Sequence, residues 1–554
     1  MTTSTQHAPR CAVDPERWPD LAVAEGSPLR AAVARALFTR AVARLPVTVR
    51  LPDGQLLGAG AAGGPDAAES LDHAAAPAAP VMVLHRPREF FRRLGDSGLI
   101  GFGESYMAGD WDCADLTGLL TVFAEHAGDL IPPGLQRMRS LAVRRPPAGD
   151  RQTRDGARRN IGRHYDLSNE LFALFLDETM TYSSALFEAN ADSTPLAADH
   201  LLADAQRRKT DQLLDRAGVG PGCRLLEVGT GWGELAIRAA QRGASVVTVT
   251  LSREQQTLAA RRVAEAGLAG RIRAELRDYR DVEGTFDAIC SAEMIEAVGE
   301  RYWDDYFAAL DRHLAPGGRI GLQTITMPHD RMLATRRTYT WIQKYIFPGG
   351  LIPSLTAIEN SLTRQTRLRI TARTDFGPHY AETLKIWRDR FRAHADEVAR
   401  LGFDEVFTRM WTFYLCYSEA GFRSGYIGVS QLTLAPHMNQ DRPVSGIPAG
   451  PFGLPLNTAV TLLAMTAVTF AGRRATAAAR FPRYPPPTPP CRQGSDRMPK
   501  PQPGGERRQV GLPGQPGQLA AAGIVGQQRH RHAERHLAAP VGVDPRHQVG
   551  AQRR

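Results

Sequence analysis

From about residue 200 onward, short apolar runs alternate regularly with helical patterns, and this alternation limits the fold more than any other feature. Five of the runs have the length of strands: CRLLEV, ASVVTVTL, IRAEL, FDAICS and RIGLQTI. Amphipathic stretches such as GELAIRAAQRG and REQQTLAARRVAEAG separate them. Such alternation is typical of a doubly wound sheet, which binds ligands at the carboxyl ends of its strands. We therefore predict an α/β fold with a mostly parallel sheet.

The first strand candidate runs into a glycine-rich loop in the stretch LLEVGTGWGELA. Its glycines are Gly229, Gly231 and Gly233, and Glu234 takes the place of the last glycine in the dinucleotide fingerprint GxGxxG. No Gly-Lys-Ser/Thr triplet follows, so the loop is not a Walker loop either. It brings bare backbone and a helix N-terminus close to a ligand. Tight packing turns share this pattern, so the loop alone does not identify the ligand.

The turns after the next two strands narrow the choice of ligand. The second strand ends at Thr250 and Leu251 without the acid that a dehydrogenase uses to hold a ribose, and Gln255 follows one helical turn later. The third strand runs into Asp278 and Tyr279. The glycine loop carries no Lys or Arg for a phosphate. S-adenosylmethionine, which has no phosphate, therefore fits these positions better than NAD or ATP.

The net charge of +10 does not indicate a nucleic-acid partner. Residues 473–554 carry 14 Arg and one Lys against four acidic residues, so the other 472 residues have a net charge of −1. The six cysteines show no paired spacing, which argues against a disulfide framework and a structural zinc site and fits a reducing cytosol. The N-terminus lacks the apolar segment of a secretory signal. We expect a cytoplasmic protein without a metal site.

Several motifs occur in a fixed order: LLEVGTGWGELAIRAA, VTLSREQ, RDYRD, SAEMIEAVG and WIQKYIFPGGLIPS. Upstream lies HYDLSNELFALFLDETMTYSSALF, and downstream lie DFGPHYAETLKIWRDRF and RMWTFYLCYSEAGFRSGYIGVSQL. Over about residues 155–435 the chain resembles the cyclopropane-fatty-acyl-phospholipid synthase family of S-adenosylmethionine-dependent methyltransferases, in particular its actinobacterial branch. The resemblance implies a Rossmann-like class I methyltransferase fold.

We divide the chain accordingly. The predicted segments are an irregular N-terminus over 1–28, a small α+β lipid-association domain over 29–135, a charged linker over 136–158, the methyltransferase domain over 159–440 and a low-complexity tail over 441–554. The composition of the tail predicts disorder or an extraneous C-terminus. Its apolar stretch 452–472 has the marginal length of a membrane span.

The resemblance implies a set of contacts to S-adenosylmethionine: Tyr182, Ser183, Gly229, Gly231, Gly233, Thr250, Leu251, Gln255, Asp278 and Tyr279. The family alkylates the double bond of an acyl chain. An alkene is a weak nucleophile, so alignment and exclusion of water must supply much of the rate. Methyl transfer leaves a carbocation, which aromatic ring faces stabilise. The stretch YTWIQKYIF offers Tyr339, Trp341, Tyr345 and Phe347 for this purpose, or as core residues.

The cation must finally lose a proton to a base. The resemblance implies a bicarbonate for this role, held by Ser184, Glu296, Gln323, Ile325 and Tyr380. This chain departs from the family pattern, because Ser184 replaces a cysteine, Gln323 replaces a histidine, and EMIEAVG replaces GMFEHVG. The last change introduces Glu293 and Ala297. Glutamine and alanine cannot titrate near neutrality as histidine does. Glu293 is either an added acid near the site or a surface or capping residue.

These departures leave the product open. We expect transfer of a methyl or methylene carbon from S-adenosylmethionine to the double bond of an unsaturated phospholipid at the inner membrane face, with a cyclopropane as the product. The alternative is a 10-methylene chain, which a reductase partner would then saturate. A small-molecule methyltransferase and an inactive lipid-binding relative are further alternatives. We expect no nucleic-acid partner, and the oligomeric state does not follow from the sequence.

Overall fold

The computed structural model describes residues 11–24, 26–59, 79–126, 146–150, 152–165 and 168–437. Contacts assign all of them to one compact unit, Met1–Pro489. The predicted domain boundaries near residues 135 and 440 lie outside the described residues. The same holds for the tail and for its apolar stretch 452–472.

The N-terminal part combines helices with a small sheet. In chain order its elements are α1 (Pro19–Ala22), α2 (Pro28–Val42), β1 (Thr48–Arg50), β2 (Leu56–Leu57), β3 (Val81–Leu84), α3 (Pro87–Ser97), α4 (Leu99–Met107), β4 (Trp111–Cys113) and α5 (Leu116–Glu125). The strands follow the order β2-β1-β3-β4, in which β1 and β3 are parallel and the other pairs are antiparallel. The predicted α+β character is therefore confirmed for the described residues.

The rest of the described chain alternates strands and helices, as the apolar runs predict. The strands are β5 (Arg224–Val228), β6 (Ser245–Thr250), β7 (Ile272–Leu276), β8 (Phe286–Ala292), β9 (Leu314–Thr326), β10 (Leu368–Asp375) and β11 (Gly428–Pro436). The helices are α6 (Arg154–Tyr165), α7 (Asn169–Ala173), α8 (Leu202–Ala217), α9 (Glu234–Gln241), α10 (Arg253–Glu265), α11 (Ile295–Val298), α12 (Trp303–His313), α13 (His329–Thr335), α14 (Trp341–Tyr345), α15 (Leu355–Gln365), α16 (Gly377–Ala393), α17 (Ala395–Arg400) and α18 (Glu405–Arg423).

The seven strands form one sheet in the order β10-β11-β9-β8-β5-β6-β7. Strands β5 to β9 are parallel, and β10 and β11 add an antiparallel edge. Alternate residues of β5 point to opposite faces, because side chains along a strand alternate. Leu225 packs in the core with Leu213 of α8, whereas Leu226 packs in the core with Phe307 of α12. Both faces of the sheet are thus covered, as in a doubly wound α/β fold.

The N-terminal part and the C-terminal helices share one hydrophobic core. Phe90 and Trp111 belong to the same buried cluster as Trp387 of α16 and Trp411 of α18. The indole of Trp18 also donates to Asp404, at 2.8 Å. Lys344 of α14 is buried and pairs with Glu104 of α4, at 2.5 Å. The N-terminal part is therefore built against the helices that carry the second half of the chain.

The predicted linker over 136–158 differs from the structure at its C-terminal end. A short 3-10 turn covers Ala148–Asp150, and α6 begins at Arg154. Gln152 and Asn160 are buried, and their side-chain amides donate to the carbonyls of Pro348 and Asp150. The charged and proline-bearing composition predicts a loop, but Gln152 is buried and its amide nitrogen donates to a backbone carbonyl, so this end of the segment packs against the fold.

None of the helices in the described ranges combines the length and the apolar character that crossing a bilayer requires. In the same ranges, His, Cys, Asp and Glu side chains do not assemble into a group of three that could hold a metal ion.

Candidate active site

A cavity of about 2300 Å³ opens where β5, β6 and β7 end. Gly229, Thr250 and Asp278 line it at these strand ends. The same cavity extends to apolar side chains of α2 such as Leu29 and Val33. One space therefore joins a polar region at the sheet to a long apolar region at the N-terminal helices. We call the residues at these strand ends and in the turns after them the strand-end site; they are Gly229, Gly231, Thr250, Gln255 and Asp278.

The three glycines of the loop have different roles. A side chain at Gly229, which has a φ of 100°, would lie 2.5 Å from Cγ of Met294, so only glycine fits there. A Cβ at Gly231 would meet no protein atom within 4 Å, which leaves this position open to a ligand. Gly233 does not line the cavity, and its Cβ would lie 3.2 Å from Cβ of Ala259. The structure thus places Gly233 where α9 packs on α10, and its contact with the co-substrate stays a prediction.

The second strand end holds Gln255 in a fixed orientation. The Thr250 hydroxyl donates to Oε1 of Gln255, at 2.9 Å. Ser252 caps α10 by accepting from the Gln255 backbone N–H, at 3.1 Å. Leu251 also lines the cavity. The predicted residues 250, 251 and 255 therefore lie together at the wall.

The third strand end carries a fixed negative charge. Arg280 donates from Nε and Nη2 to the two carboxylate oxygens of Asp278, at 2.8 and 2.5 Å. Burial alone would raise the pKa of Asp278, but the hydrogen bonds and charge of Arg280 outweigh it and lower the pKa. The guanidinium also lies over the ring of Tyr279, 5.5 Å from its centroid. The carboxylate can accept from an amine or hydroxyl of a nucleoside, and Arg280 is a site residue that the sequence prediction missed.

The sequence prediction also missed two buried ionisable residues beside the strand-end site, Lys209 and Glu227. Burial lowers the pKa of Lys209 to about 8 and raises that of Glu227 to about 8. Lys209 donates to the hydroxyl of Ser183, at 2.6 Å. Oε2 of Glu227 has no hydrogen-bond partner among the described residues, and Glu227 lines the cavity. Glu227 lies in the motif LLEVG, two residues before Gly229, and this position next to the glycine loop could have identified it as a site residue.

Aromatic side chains line the route from the strand-end site to the apolar region. The ring of Tyr182 stacks on Trp387, with centroids 5.2 Å apart, and its hydroxyl contacts that of Tyr414 at 2.7 Å. Of the aromatic stretch near residue 340, three members line the cavity: Tyr339, Trp341 and Phe347. Tyr345 does not, because its buried hydroxyl donates to Glu104 at 2.9 Å.

The residues predicted to hold a bicarbonate surround a carboxylate of the chain itself. Oε1 of Glu293 accepts from the backbone N–H of Ser184 at 3.1 Å and from Nε2 of Gln323 at 2.9 Å. Oε2 accepts from the hydroxyl of Tyr380 at 2.7 Å. Glu293 is therefore neither a surface nor a capping residue. We call Ser184, Glu293, Glu296, Gln323 and Tyr380 the acid cluster.

Glu296, the second acid of the cluster, contacts Ile325, the last of the residues predicted to hold a bicarbonate. Oε1 of Glu296 accepts from the Ile325 N–H at 2.5 Å and from the Thr324 hydroxyl at 2.9 Å. Its Oε2 is buried without a partner among the described residues. Burial raises the pKa of Glu296 to about 8, and the charge of Glu293 adds to the rise. Burial therefore favours the protonated form of Glu296.

Neighbouring side chains fix the orientation of Gln323. Its Oε1 accepts from Nε2 of Gln431 at 3.1 Å, and Gln431 also donates to the carbonyl of Lys209 at 3.0 Å. The nitrogen of Gln323 is thereby directed at Glu293. The hydroxyl of Ser184 donates to the Ala185 carbonyl at 3.0 Å, so only its backbone N–H serves the cluster.

Comparison with known proteins identifies the family. The sequence profile described as mycolic acid cyclopropane synthetase matches residues 152–432. The chain is 53% identical over 438 residues to the tuberculostearic acid methyltransferase UfaA1 of Mycobacterium tuberculosis, which covers 78% of this chain and 99% of the relative. It is 35% identical over 367 residues to the cyclopropane-fatty-acyl-phospholipid synthase of Escherichia coli, and the alignment covers 64% of this chain and 88% of that relative. The solved structure of the cyclopropane synthase MmaA2 of Mycobacterium tuberculosis matches at 33% identity with a TM-score of 0.45. The match covers 50% of this chain and 97% of MmaA2.

S-adenosylmethionine is the co-substrate, and the residues at the strand ends fit it. Asp278 offers an anionic acceptor to the adenosine, and Gly231 leaves room for close approach. Oε2 of Glu227, which has no partner among the described residues, offers an acceptor to an ammonium group. The bound molecule supplies an activated methyl group. The chain belongs to the mycolic acid cyclopropane synthetase family, and it is a lipid-modifying, S-adenosylmethionine-dependent methyltransferase with a Rossmann-like class I fold.

Proposed function

We propose that this enzyme transfers the methyl group of S-adenosylmethionine to the double bond of an unsaturated phospholipid acyl chain and releases a mid-chain methylene product. The observation that carries the acyl substrate is the continuous cavity from the strand-end site to the N-terminal helices. Beyond the polar region its walls include Val33, Phe38, Phe102 and Phe123. A long apolar space of this kind favours an extended hydrocarbon chain over a soluble small molecule.

The reaction needs little from the protein beyond alignment, a dry site and a base. The π electrons of the alkene attack the methyl carbon, while the carbon–sulfur bond breaks with its electron pair on sulfur. A cation forms on the neighbouring alkene carbon, and a hydride shift from the methylated carbon moves the charge there. Loss of a proton from the transferred methyl group then gives the exomethylene. The aromatic rings of Tyr182, Tyr339 and Trp341 stabilise positive charge in the cavity.

A methylene product is favoured over a cyclopropane for two reasons. The similarity to the tuberculostearic acid methyltransferase extends over 99% of that relative, and tuberculostearic acid is a methyl-branched fatty acid. The cyclopropane-fatty-acyl-phospholipid synthase is more distant, at 35% identity. In addition, Glu293, Ala297 and Gln323 depart from the cyclopropane synthase pattern next to the site of proton loss. A separate reductase would convert the methylene product to a methyl branch.

The product distinguishes these chemistries. Purified protein is incubated with methyl-labelled S-adenosylmethionine and oleoyl phospholipid, and the lipid is examined by mass spectrometry and proton NMR. We expect label in the acyl chain together with exomethylene protons. Upfield ring protons would instead establish a cyclopropane synthase. Absence of label from lipid would contradict the proposal and favour a soluble substrate or an inactive relative.

We further propose that helix α2 enters the membrane surface and admits the acyl chain directly. Leu29, Val33 and Leu37 are spaced four residues apart on α2, their exposed fractions are 64%, 52% and 40%, and all three line the cavity. Exposed apolar residues at a cavity mouth suit contact with a bilayer. Arg35 and Arg40 are exposed on the same helix, and their charges suit anionic headgroups.

Vesicle binding tests this face. The double substitution Leu29→Ser and Leu37→Ser should weaken co-sedimentation with anionic phospholipid vesicles by about 10-fold, because it removes two apolar side chains from the interface. Binding of S-adenosylhomocysteine should not change. The matched control is Leu196→Ser, since Leu196 is 50% exposed but does not line the cavity. Equal vesicle binding by all three proteins would contradict the assignment of this face.

A further inference from the structure

Glu293 has a backbone conformation that is unusual for a residue with a side chain. Its φ is 54°, in the left-handed region, which only Met180 and Ser193 share among the described non-glycine residues. Such a conformation costs about 1 kcal/mol or more and is retained where the surroundings determine it. Here the Glu293 N–H donates to the Gln323 carbonyl at 2.8 Å. The strained backbone directs a carboxylate into the site at a position where the family pattern has glycine.

That carboxylate engages the groups that would otherwise bind an anion. The Ser184 N–H, the Gln323 amide and the Tyr380 hydroxyl all donate to Glu293. A carboxylate and a bicarbonate present similar oxygen acceptors, so the same donors suit either one. They do not suit both, because all three donors already hydrogen-bond to Glu293 and a second buried anion would be repelled. A bicarbonate therefore does not fit these donors in this chain.

The two acids of the cluster divide the proton between them. Burial raises the pKa of Glu293, whereas the three donors and the charge of Lys209 oppose the rise. Glu296 has only Thr324 and Ile325 as donors, and its pKa is raised to about 8. The hydrogen bonds from three donors therefore favour the negative charge of the pair on Glu293 rather than on Glu296. Glu293 also lines the cavity, which places it beside the space for a substrate.

We propose that Glu293, rather than a bound bicarbonate, is the base that takes the proton from the transferred methyl group, so that the enzyme works without bicarbonate. This inference rests on the proposed function. The C–H bond of the methyl group breaks, its electron pair forms the exomethylene π bond, and the proton moves to a carboxylate oxygen of Glu293. Ser184, Gln323 and Tyr380 are positioning residues, which hold the carboxylate toward the cavity. The proton passes to water after product release.

The first test uses the wild-type enzyme. Transfer of labelled methyl groups into oleoyl phospholipid is measured in bicarbonate-free, degassed buffer and again with added bicarbonate. We expect equal rates. Label that enters lipid only with bicarbonate would overturn the role of Glu293 while leaving the proposed function intact. Absence of labelled lipid under both conditions would overturn the proposed function, and the inference with it.

Two substitutions at the same position sharpen the test. Glu293→Gly restores the family's glycine, relieves the backbone strain at the positive φ and frees the three donors. It should lower the rate by about 100-fold or more, the usual contribution of a general base, and added bicarbonate should restore much of the loss. Glu293→Gln should lose the same activity without rescue, because its carboxamide fills the site and cannot accept the proton.

Controls separate this role from a structural one. Ser193→Gly removes the side chain of an exposed residue with a positive φ of 66° and should leave the rate unchanged. S-adenosylhomocysteine affinity, measured by calorimetry, should stay within about 2-fold of wild type in both Glu293 variants. Full activity of Glu293→Gly without bicarbonate, or equal rescue of Glu293→Gln, would overturn the proposal.

Discussion

The strand-end site and the acid cluster line the same cavity but handle charge in opposite ways. At the strand-end site Asp278 is paired with Arg280, two residues away, and its pKa is lowered. In the acid cluster the donors to Glu293 are neutral, and the nearby Glu296 has a raised pKa. The first region therefore presents a permanent charge, whereas the second can gain and lose a proton.

This difference matches the two tasks of a methyltransferase that must also deprotonate its product. A co-substrate is held best by groups that do not change charge during the reaction. A base has to bind a proton and release it in every cycle, which requires a pKa near the working pH. Pairing with arginine would depress the pKa of a base, and burial among neutral donors avoids this.

Removal of Glu296 should have the largest effect. The substitution Glu296→Ala deletes the second acid and leaves the Thr324 hydroxyl and the Ile325 N–H without their acceptor. Because Glu293 and Glu296 share one proton, loss of Glu296 disturbs the proposed base, and we expect the transfer rate to fall by more than about 100-fold. S-adenosylhomocysteine affinity should be nearly unchanged. Rates are measured with labelled methyl donor, and affinity by calorimetry. Glu300→Ala is the matched control, since Glu300 pairs with Arg336 and does not line the cavity. A normal rate in Glu296→Ala would remove this residue from the proposed chemistry.

The reverse pattern should follow from a change at the strand-end site. Asp278→Asn removes the permanent charge and leaves Arg280 without its partner. We expect the affinity for S-adenosylhomocysteine to fall by about 10-fold or more, since a hydrogen bond to a charged group is worth about 1.5–3 kcal/mol. The rate at saturating co-substrate should change far less. Asp281→Asn, at an exposed neighbour paired with Arg154, serves as the control. Loss of rate without loss of affinity would contradict the division between the two regions.

The two regions also differ in how far the sequence predicts them. Thr250, Gln255 and Asp278 follow consecutive parallel strands, so strand–helix alternation alone brings them to one edge of the sheet. The order of the strands and the antiparallel edge do not follow from alternation, because they depend on packing between distant segments.

The acid cluster depends on contacts that no local pattern contains. Glu293 is 109 residues from Ser184 and 87 from Tyr380, and only the resemblance grouped these positions. The family pattern suggested a site for bicarbonate, and the position of Glu293 within it became visible only from the hydrogen bonds. Lys209 and Gln431 were missed for the same reason, since a charged or amide side chain within a helix or strand pattern predicts a surface position.

The raised pKa values predict how stability depends on pH. Burial raises the pKa of Glu227 and of Glu296 from 4.5 to about 8. Between these values the folded protein binds protons that the unfolded chain releases, so stability falls as pH rises from about 5 to 8. Glu296→Gln mimics the protonated acid and should reduce this fall, as followed by thermal unfolding across that pH range. Glu283→Gln, at an exposed position, should not. An identical pH dependence in wild type and Glu296→Gln would contradict the buried, protonated state of Glu296.

The smallest expected effect separates ligand contact from packing within the strand-end site. Gly233 has a φ of 94°, and a Cβ there would lie 3.2 Å from Ala259, whereas a Cβ at Gly231 would point into open space. Gly233→Ala should therefore destabilise the fold by about 1–2 kcal/mol, because alanine adopts a left-handed conformation only with strain. Its affinity for S-adenosylhomocysteine should stay close to that of wild type. Gly231→Ala carries a similar backbone strain at a φ of 51°, but its methyl group intrudes on the ligand space, so affinity should fall as well. Thermal unfolding and calorimetry on the two variants measure both quantities. Equal loss of affinity in both would mean that Gly233 contacts the co-substrate after all, and the strand-end site would then extend to the start of α9.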